Sequence, residues 1–572
     1  MNKRLGNPVW SGRTRMMALL LALLGVVLVG RAVQLHVFDK GFLYGQARER
    51  HMRVLEISAH RGMIVDRHGE PLAASTPVDS IWVNPRPFLD DEGAVEKLAS
   101  ALDIPAGSLR KKLEDRQGRE FVYVKRQLPP YQSKRILAMK LDGLYAQREY
   151  RRYYPTGEIT GQLLGFTNID DRGLEGLELS YDSWLAGQPG KRRVLIDAGK
   201  KVIDDLGEIR EARPGRDLQL SLDRRIQYLA YRELKAAMVA HRAKAGSVVV
   251  LDPRNGEILA MVSQPSFNPN NREAIVPRLA RNRAVVDLFE PGSTLKPFIV
   301  ATALDQGLFQ PASVIDTRPG WFTVQGNTIR DIHNYGVLDL GGILAKSSNV
   351  GASRIALAMS PDRIWEALRG FGFGEMTASG FPGERGGTLR HFQDWRPIDH
   401  ATVAYGYGLS TTTLQLASAY AVLANGGERR PVSFFTAKQL PPAHRVISAG
   451  SAAQVSQMLE RVVREGTATA AAIPGYRVAG KTGTARKAGV GGYSERRYQA
   501  VFAGYVPASR PRLVAVVVID EPSAGVYYGG AVAAPVFARV MAGALRLMEI
   551  PPDDLPDGAG LVHSAASPEE LG

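Results

Sequence analysis

One apolar run near the N-terminus divides this chain before any fold is considered. Residues 1–15 carry Lys3, Arg4, Arg13 and Arg15 and no acid. Met16 to Gly30 is then uncharged and mostly Leu, Val and Ala, and after Arg31 the run continues to Phe38. The uncharged core is shorter than the ~20 residues that cross a bilayer. Arg31 can snorkel from a helix end, so Met16–Val37 is expected to span. The rival is a cleaved signal peptide, but the run ends in Val26-Val-Leu-Val-Gly-Arg31, a poor small-x-small site. On either reading the basic flank stays in the cytoplasm and residues 40–572 lie beyond the membrane. No second apolar run is expected to reach spanning length. Nucleic acid and ATP are then unsuited partners for the bulk of the chain.

At ~100–200 residues per domain, 572 residues imply about three units. The 45% hydrophobic and 23% charged fractions exclude a collagen-like, coiled-coil or wholly disordered chain. There is no cysteine, so disulfides, zinc-thiolate sites, iron–sulfur clusters and cysteine nucleophiles are excluded. Lys and Arg total 72 against 57 Asp and Glu, a net +15. That balance favours an anionic partner such as lipid or an acidic polymer, with a basic solvated surface as the plainer alternative. No two of the ten histidines lie three or four residues apart, and no His-Glu-x-x-His occurs. No metal site is expected.

Residues 38–220 read as a mixed, non-catalytic module of short strands and turns: no nucleophile or ligand pattern stands out there. A boundary falls near 216–223, where Ser221 or Asp223 can cap a helix from Arg224 to His241. Ser247-Val-Val-Val-Leu251, a turn at Asp252-Pro-Arg-Asn-Gly256 and Glu257–Val262 predict a hairpin. Residues 290–470 read mostly helical. Strand signals return at Arg477–Gly480, Ala500–Val506 and Leu513–Ile519, and an amphipathic helix is predicted over Ala534–Met548. The expected class is α+β with an antiparallel sheet. From Pro551 the tail carries five acids and no base, and disorder is expected.

Gly475-Tyr-Arg-Val-Ala-Gly-Lys-Thr482 matches the P-loop pattern in full, and Val516–Glu521 mimics the strand that ends in a magnesium-binding acid. A phosphate loop needs a helix starting at Lys481. Gly483-Thr-Ala-Arg-Lys-Ala-Gly-Val-Gly-Gly492 does not predict one.

Ser293-Thr-Leu-Lys296 is the stronger candidate. Ser108-Leu-Arg-Lys111 has the same spacing, but Pro291-Gly292 and Pro297 frame only the first. Pro is tolerated in a first helical turn, so a helix should start near Ser293. That puts Ser293 and Lys296 on one face. A helix N-terminus and burial both disfavour the ammonium, and a neutral lysine can act as the serine's general base. Ser347-Ser-Asn349 is expected on a turn between helices 340–346 and 350–359, where a hydroxyl could pass a proton. Ser266-Phe-Asn268 also fits that short pattern. Lys481-Thr-Gly-Thr484 follows a strand. Lys481 offers a fixed charge, Thr482 and Thr484 can grip a carboxylate, and Gly483 lets a substrate backbone approach closely.

The three motifs occur in the order found in penicillin-binding proteins and related β-lactamases. The chain resembles the monofunctional, class B penicillin-binding proteins, and most of all their division-specific transpeptidases in Gram-negative bacteria. The likeness spans nearly the whole chain. It includes His60–Ala73, Arg152-Tyr-Tyr-Pro155, Gly173–Glu178, Phe289–Phe298, Tyr405-Gly-Tyr-Gly-Leu-Ser410 and Gly480–Ala485. The resemblance implies a β-lactamase-like transpeptidase domain, a five-stranded antiparallel sheet with flanking helices and a helical subdomain, at 221–550. Before it would come a cytoplasmic tail (1–15), a transmembrane anchor (16–37) and an elongated pedestal or dimerisation-type module (38–220); after it, the acidic tail (551–572).

By the same resemblance Ser293 is acylated, Lys296 is its base, and Ser347 and Asn349 form the second motif. Lys481, Thr482 and Thr484 bind a carboxylate, and the N–H groups of Ser293 and Thr484 form an oxyanion hole. Tyr493, Tyr498, Tyr527 and Tyr528 would form an aromatic wall, with sheet packing as the alternative, and Arg486 is a further binding candidate. The implied reaction is crosslinking of D-Ala-D-Ala stem peptides through an acyl-enzyme that β-lactams trap, with no cofactor and no metal. The implied place is the bacterial inner membrane, among division proteins and a polytopic glycan polymerase. Alternatives are an elongation-specific transpeptidase, a penicillin sensor or a β-lactamase. No class A Glu-x-x-Leu-Asn deacylation loop is present.

Overall fold

The computed structural model describes residues 12–38, 40–41, 52–196, 202–437, 439–489 and 492–555. Most of the basic N-terminal tail and the acidic tail from 556 onward lie outside the described residues. Two compact units form. One contains residues 1–60, 77–149 and 187–214; the other contains 61–76, 150–186 and 215–572.

In the first unit, α1 (Gly12–Val33) is exposed along its described length. Its 22 residues span about 33 Å at 1.5 Å per residue, enough for a bilayer core. Such an apolar helix suits a membrane anchor. The same unit has a three-stranded antiparallel sheet of residues 52–57, 190–196 and 202–210. A separate small core gathers Ile81, Phe88, Leu98, Leu113 and Val122.

In the second unit, three of the stretches that carried the resemblance meet at one carboxylate. Glu178 accepts from Arg61 Nε (2.8 Å) and Arg152 Nε (2.6 Å), all three side chains buried. Burying these charges is tolerable only because they satisfy one another.

The larger, C-terminal part of this unit starts at α2 (Arg224–Ala240). Asp223 caps it by accepting from Arg225 N, and Ile226, Ala230, Leu234 and Ala237 form its buried stripe. Then come β1 (Ala245–Leu251) and β2 (Ile258–Gln264), buried at every position. Runs buried on both faces need cover on both. The helical region follows: α3 (Lys296–Asp305), α4 (Leu340–Lys346), α5 (Asn349–Leu357), α6 (Thr413–Ala424) and α7 (Ala449–Glu465). The chain returns to the sheet with β3 (Ala479–Gly489), β4 (Gly492–Val506) and β5 (Leu513–Asp520), and closes with α8 (Ala534–Leu547).

The sheet order is β2-β1-β5-β4-β3, antiparallel throughout. Helices α2 and α8 pack together on one face, and α6 covers β1 and β5 on the other. β3 is therefore an edge strand, and it pairs Lys481 with Ala503 and Thr484 with Ala500 across β4. One expectation is corrected: Gly529–Leu547 is apolar and long enough to span, but over half of it is buried, as suits a core helix.

Candidate active site

Ser293 sits on a 3-10 turn, Gly292–Leu295, that runs into α3. Three residues per turn place Ser293 and Lys296 one above the other. Pro291 O accepts from both Thr294 N (3.3 Å) and Thr294 Oγ1 (2.7 Å), and Tyr420 of α6 donates to Thr294 O (2.9 Å). Gly292 has φ +57°, which glycine adopts without strain. A Cβ built there would lie 3.6 Å from Ala485 Cβ and 3.8 Å from Thr484 N, so the turn lies against β3.

Lys296 is fully buried. Its Nζ donates to Ser347 O (2.5 Å), Asn349 Oδ1 (2.8 Å) and Ser347 Oγ (3.2 Å). Ser293 Oγ makes no hydrogen bond among the described residues. Ser293 and Lys296 thus share the turn, with the amine aimed at the second motif. Such contacts are often long before a substrate binds.

Ser347 ends α4 in a left-handed conformation, φ +59°, and Ser348 caps α5 by accepting from Gly351 N (2.8 Å). Asp331, unsuspected from sequence, holds this junction. Its carboxylate accepts from Ser348 Oγ (2.5 Å), Asn349 N (2.5 Å) and Val350 N (3.0 Å).

Lys481 comes from β3 and is also fully buried. Its Nζ donates to Ser347 Oγ (3.0 Å) and Thr482 O (3.2 Å). Ser347 Oγ thus stands between two lysine amines from different motifs. Burial, then the neighbouring Lys481 charge, hold Lys296 well below the usual lysine range, against the pull of Asp331. Burial brings Lys481 down to about 7, so its charge is conditional on pH. Thr482 shares a hydroxyl contact with Thr467 (2.8 Å), and Thr484 Oγ1 accepts from Gly529 N (3.0 Å).

Gly483 has a different surrounding from the one expected. A Cβ there would meet Pro291 O at 2.8 Å and Thr294 Cγ2 at 3.0 Å. Its bare Cα faces the protein's own serine turn. Nor does a helix follow Lys481: β3 runs on to Gly489, which removes the amide cradle that a phosphate loop needs.

Three of the four tyrosines stack in a row. Tyr498 stacks on Tyr527 (centroids 4.0 Å apart, planes at 12°), and Tyr527 on Tyr528 (4.6 Å). Tyr493 stands with Tyr407 (5.3 Å) and donates to Glu290 Oε1 (2.9 Å). Arg486 is exposed and shares a cavity with Glu290. Glu290 and Tyr407 lay inside stretches that carried the resemblance, but no chemistry pointed to them.

Residues 246–542 match the model of the penicillin binding protein transpeptidase domain. The chain belongs to the penicillin-binding protein transpeptidase family. Residues 56–220 match the penicillin-binding protein dimerisation domain. The chain is 43% identical to the peptidoglycan D,D-transpeptidase FtsI of Escherichia coli over 537 residues, 93% of this chain and 91% of that one. It is 42% identical to the probable peptidoglycan D,D-transpeptidase PbpC of Pseudomonas aeruginosa, covering 94% of this chain and 95% of the relative. Among solved structures it is similar to penicillin binding protein 3 of Mycobacterium tuberculosis, complexed with aztreonam. There the TM-score is 0.68 and the identity 28%, over 87% of this chain and 98% of that one.

Proposed function

We infer that this penicillin-binding protein is the septal peptidoglycan D,D-transpeptidase of its cell, acylated by β-lactams at Ser293. The observation that carries the reading is the buried cluster in which Ser347 Oγ bridges Lys296 and Lys481. Ser293 Oγ attacks the penultimate D-Ala carbonyl of a donor stem, and neutral Lys296 takes its proton. Charge on the carbonyl oxygen is met by the N–H groups of Ser293 and Thr484. The peptide C–N bond breaks, and the proton returns to the leaving D-Ala amine by way of Lys296 and Ser347. An amine of a second stem then attacks the ester, the C–Oγ bond breaks, and the crosslink forms. Charged Lys481, with Thr482 and Thr484, holds the terminal carboxylate of the peptide or drug.

The arrangement along the chain fits this role: a cytoplasmic tail (1–15), an inner-membrane anchor (16–37), a pedestal module (38–220), the periplasmic transpeptidase domain (221–550) and an acidic tail (551–572). A membrane-embedded glycan polymerase and other division proteins are the fitting partners. The relatives' FtsI names favour division over elongation.

The test is mass spectrometry of the penicillin-labelled peptide. The label is expected on Ser293 and not on Ser108. Label on any other serine would sink the reading.

The two lysines also predict a pH profile. Acylation needs Lys296 without its proton, so the rate should fall on the acid side. Binding an anionic drug needs Lys481 with its proton, so the rate should fall again as pH rises through about 7. Arginine keeps its proton over this range, and Lys481→Arg should remove the basic limb. Second-order acylation rates between pH 5 and 10 check both; an unchanged basic limb in Lys481→Arg would assign that limb elsewhere.

A further inference from the structure

A cavity of about 630 Å³ opens in the second unit where the first turns of α2 meet the last turns of α8. The two helices run antiparallel. Arg539 pairs with Glu233 (2.5 Å), and a Cβ built on Gly543 would lie 2.6 Å from Leu229 Cδ1. Next to that contact Pro155, Ile159, Tyr228, Leu229 and Leu547 give the cavity an apolar lining, and Arg224, Arg225 and Arg546 stand among them. No residue of the three catalytic motifs lines it.

Two of the arginines are already paired, Arg224 with Glu70 (3.1 Å) and Arg225 with Asp223 (2.7 Å). The exposed Arg546 guanidinium has no carboxylate partner among the described residues. Tyr228 is 48% exposed, so an aromatic ring is left half in water beside that free charge. An apolar recess with one unpaired guanidinium selects an apolar side chain that stands next to a carboxylate.

Residues 556–572 of the same chain have this chemistry, and they start nearby. They carry Asp557, Glu569 and Glu570 and no lysine or arginine. Leu571 directly follows two of these acids, whereas Leu561-Val562 has no acid within three residues. The chain leaving α8 is tied down just before. Asp553 accepts from Arg477 N and Ser509 Oγ, and Asp554 N donates to Gly475 O. Leu555 comes eight residues after Leu547, which lines the cavity, so the two are at most about 29 Å apart.

We propose that the acidic tail folds back into the α2–α8 cavity, with Leu571 among the apolar side chains and the Glu569-Glu570 pair on Arg546. The proposal is independent of the transpeptidase reading. The reach is ample: Glu570 is fifteen residues past Leu555, a span of up to about 50 Å. A tether of this length holds its end at roughly millimolar effective concentration. A contact too weak to persist between separate molecules is then occupied within one.

The test exploits the absence of cysteine from the chain. Two are introduced into the full-length protein, Arg224→Cys at the cavity and Gly572→Cys beside Leu571. The Arg224–Glu70 pair is exposed, and losing such a pair costs little stability. After mild oxidation, non-reducing electrophoresis and mass spectrometry of the linked peptides give the disulfide yield. An intramolecular disulfide is expected in most molecules. Val239→Cys with Gly572→Cys is the control. Val239 is 75% exposed near the other end of α2, about 22 Å along the helix from Arg224, and should link poorly. Arg546→Glu should cut the yield at position 224 about threefold or more, the scale of an exposed ion pair. Adding Glu569→Lys and Glu570→Lys to that variant should restore it. Circular dichroism confirms that each variant folds. No disulfide at position 224, equal yields at 224 and 239, or a yield indifferent to Arg546→Glu would each overturn the proposal. So would disulfide-linked dimers in place of the intramolecular product, which would give the cavity to the tail of a second copy.

Discussion

Lys296→Arg is expected to abolish acylation by β-lactams, with a loss of roughly 10²–10⁴-fold, the usual cost of a missing general base. Two features of the structure make the substitution severe. Lys296 lies at the start of a helix buried at almost every position, with no exposed surface of its own. Its amine is held below its ordinary pKa by burial and by Lys481, so a neutral state is within reach for lysine. A guanidinium stays charged in proteins. It is also larger, and the space is filled by Ser347 O and Asn349 Oδ1, 2.5 and 2.8 Å from the lysine nitrogen. Arginine would therefore be charged where a base is needed and crowded where a fit is needed. Lys481→Arg provides the contrast, because that position is proposed to work charged. It should keep measurable acylation. The measurement is the second-order acylation rate of both variants, with circular dichroism to confirm folding. A Lys296→Arg protein that acylates at the normal rate would remove Lys296 from the base role. A Lys481→Arg protein as inactive as Lys296→Arg would show that Lys481 contributes more than charge.

Gly483→Ala is the second large effect expected, and it acts through the turn that carries Ser293. The added Cβ would come within 2.8 Å of a backbone oxygen, Pro291 O, and 3.0 Å of Thr294 Cγ2. Neither atom is the free end of a flexible chain, since Thr294 is itself bonded to Pro291 O and to Tyr420. The edge strand and the serine turn must then move apart. Overpacking of this kind costs about 1–3 kcal/mol of stability. The larger consequence is chemical. The two proposed oxyanion donors sit one on the turn and one on the strand, so separating them weakens both. Loss of one such donor typically costs about 10²–10³ in rate. Acylation should fall by at least about a hundredfold, with the melting temperature lowered by several degrees. Normal acylation in a folded Gly483→Ala protein would show that the turn–strand spacing is not critical.

Much of this site was legible in the sequence because its parts are local. Val248–Leu251 and Val514–Ile519 announce buried strands, and the capping Asp223 announces a helix. The three motifs are each only three or four residues long. What could not be read is what joins them. Asp331 reaches Ser348 and Asn349 across 17 and 18 residues, and Glu290 meets Tyr493 across 203. A lone Asp or Glu in a chain with 57 acids carries no signal of its partner. Gly483 was read as clearance for a substrate because a strand glycine implies that some backbone comes near. Which backbone depends on the packing of residues 291–294, about 190 positions away. Likewise the stretches 61–76 and 150–186 look like parts of a continuous N-terminal module. Only the burial of Arg61 and Arg152 around Glu178, in the second unit, shows where their charges are neutralised.

Ser347 occupies a left-handed bend that most helix ends give to glycine. A side chain held there costs of order 1 kcal/mol or more. The same bend turns both the Ser347 carbonyl and hydroxyl oxygens toward Lys296, and the hydroxyl also reaches Lys481. Drift toward glycine at this position would relax the backbone and remove the one oxygen shared by the two amines. Stability and activity thus pull in opposite directions at a single residue. A library screened for thermal resilience alone would be drawn toward sturdier proteins that no longer build wall, whereas growth of the cell would hold the strained serine in place.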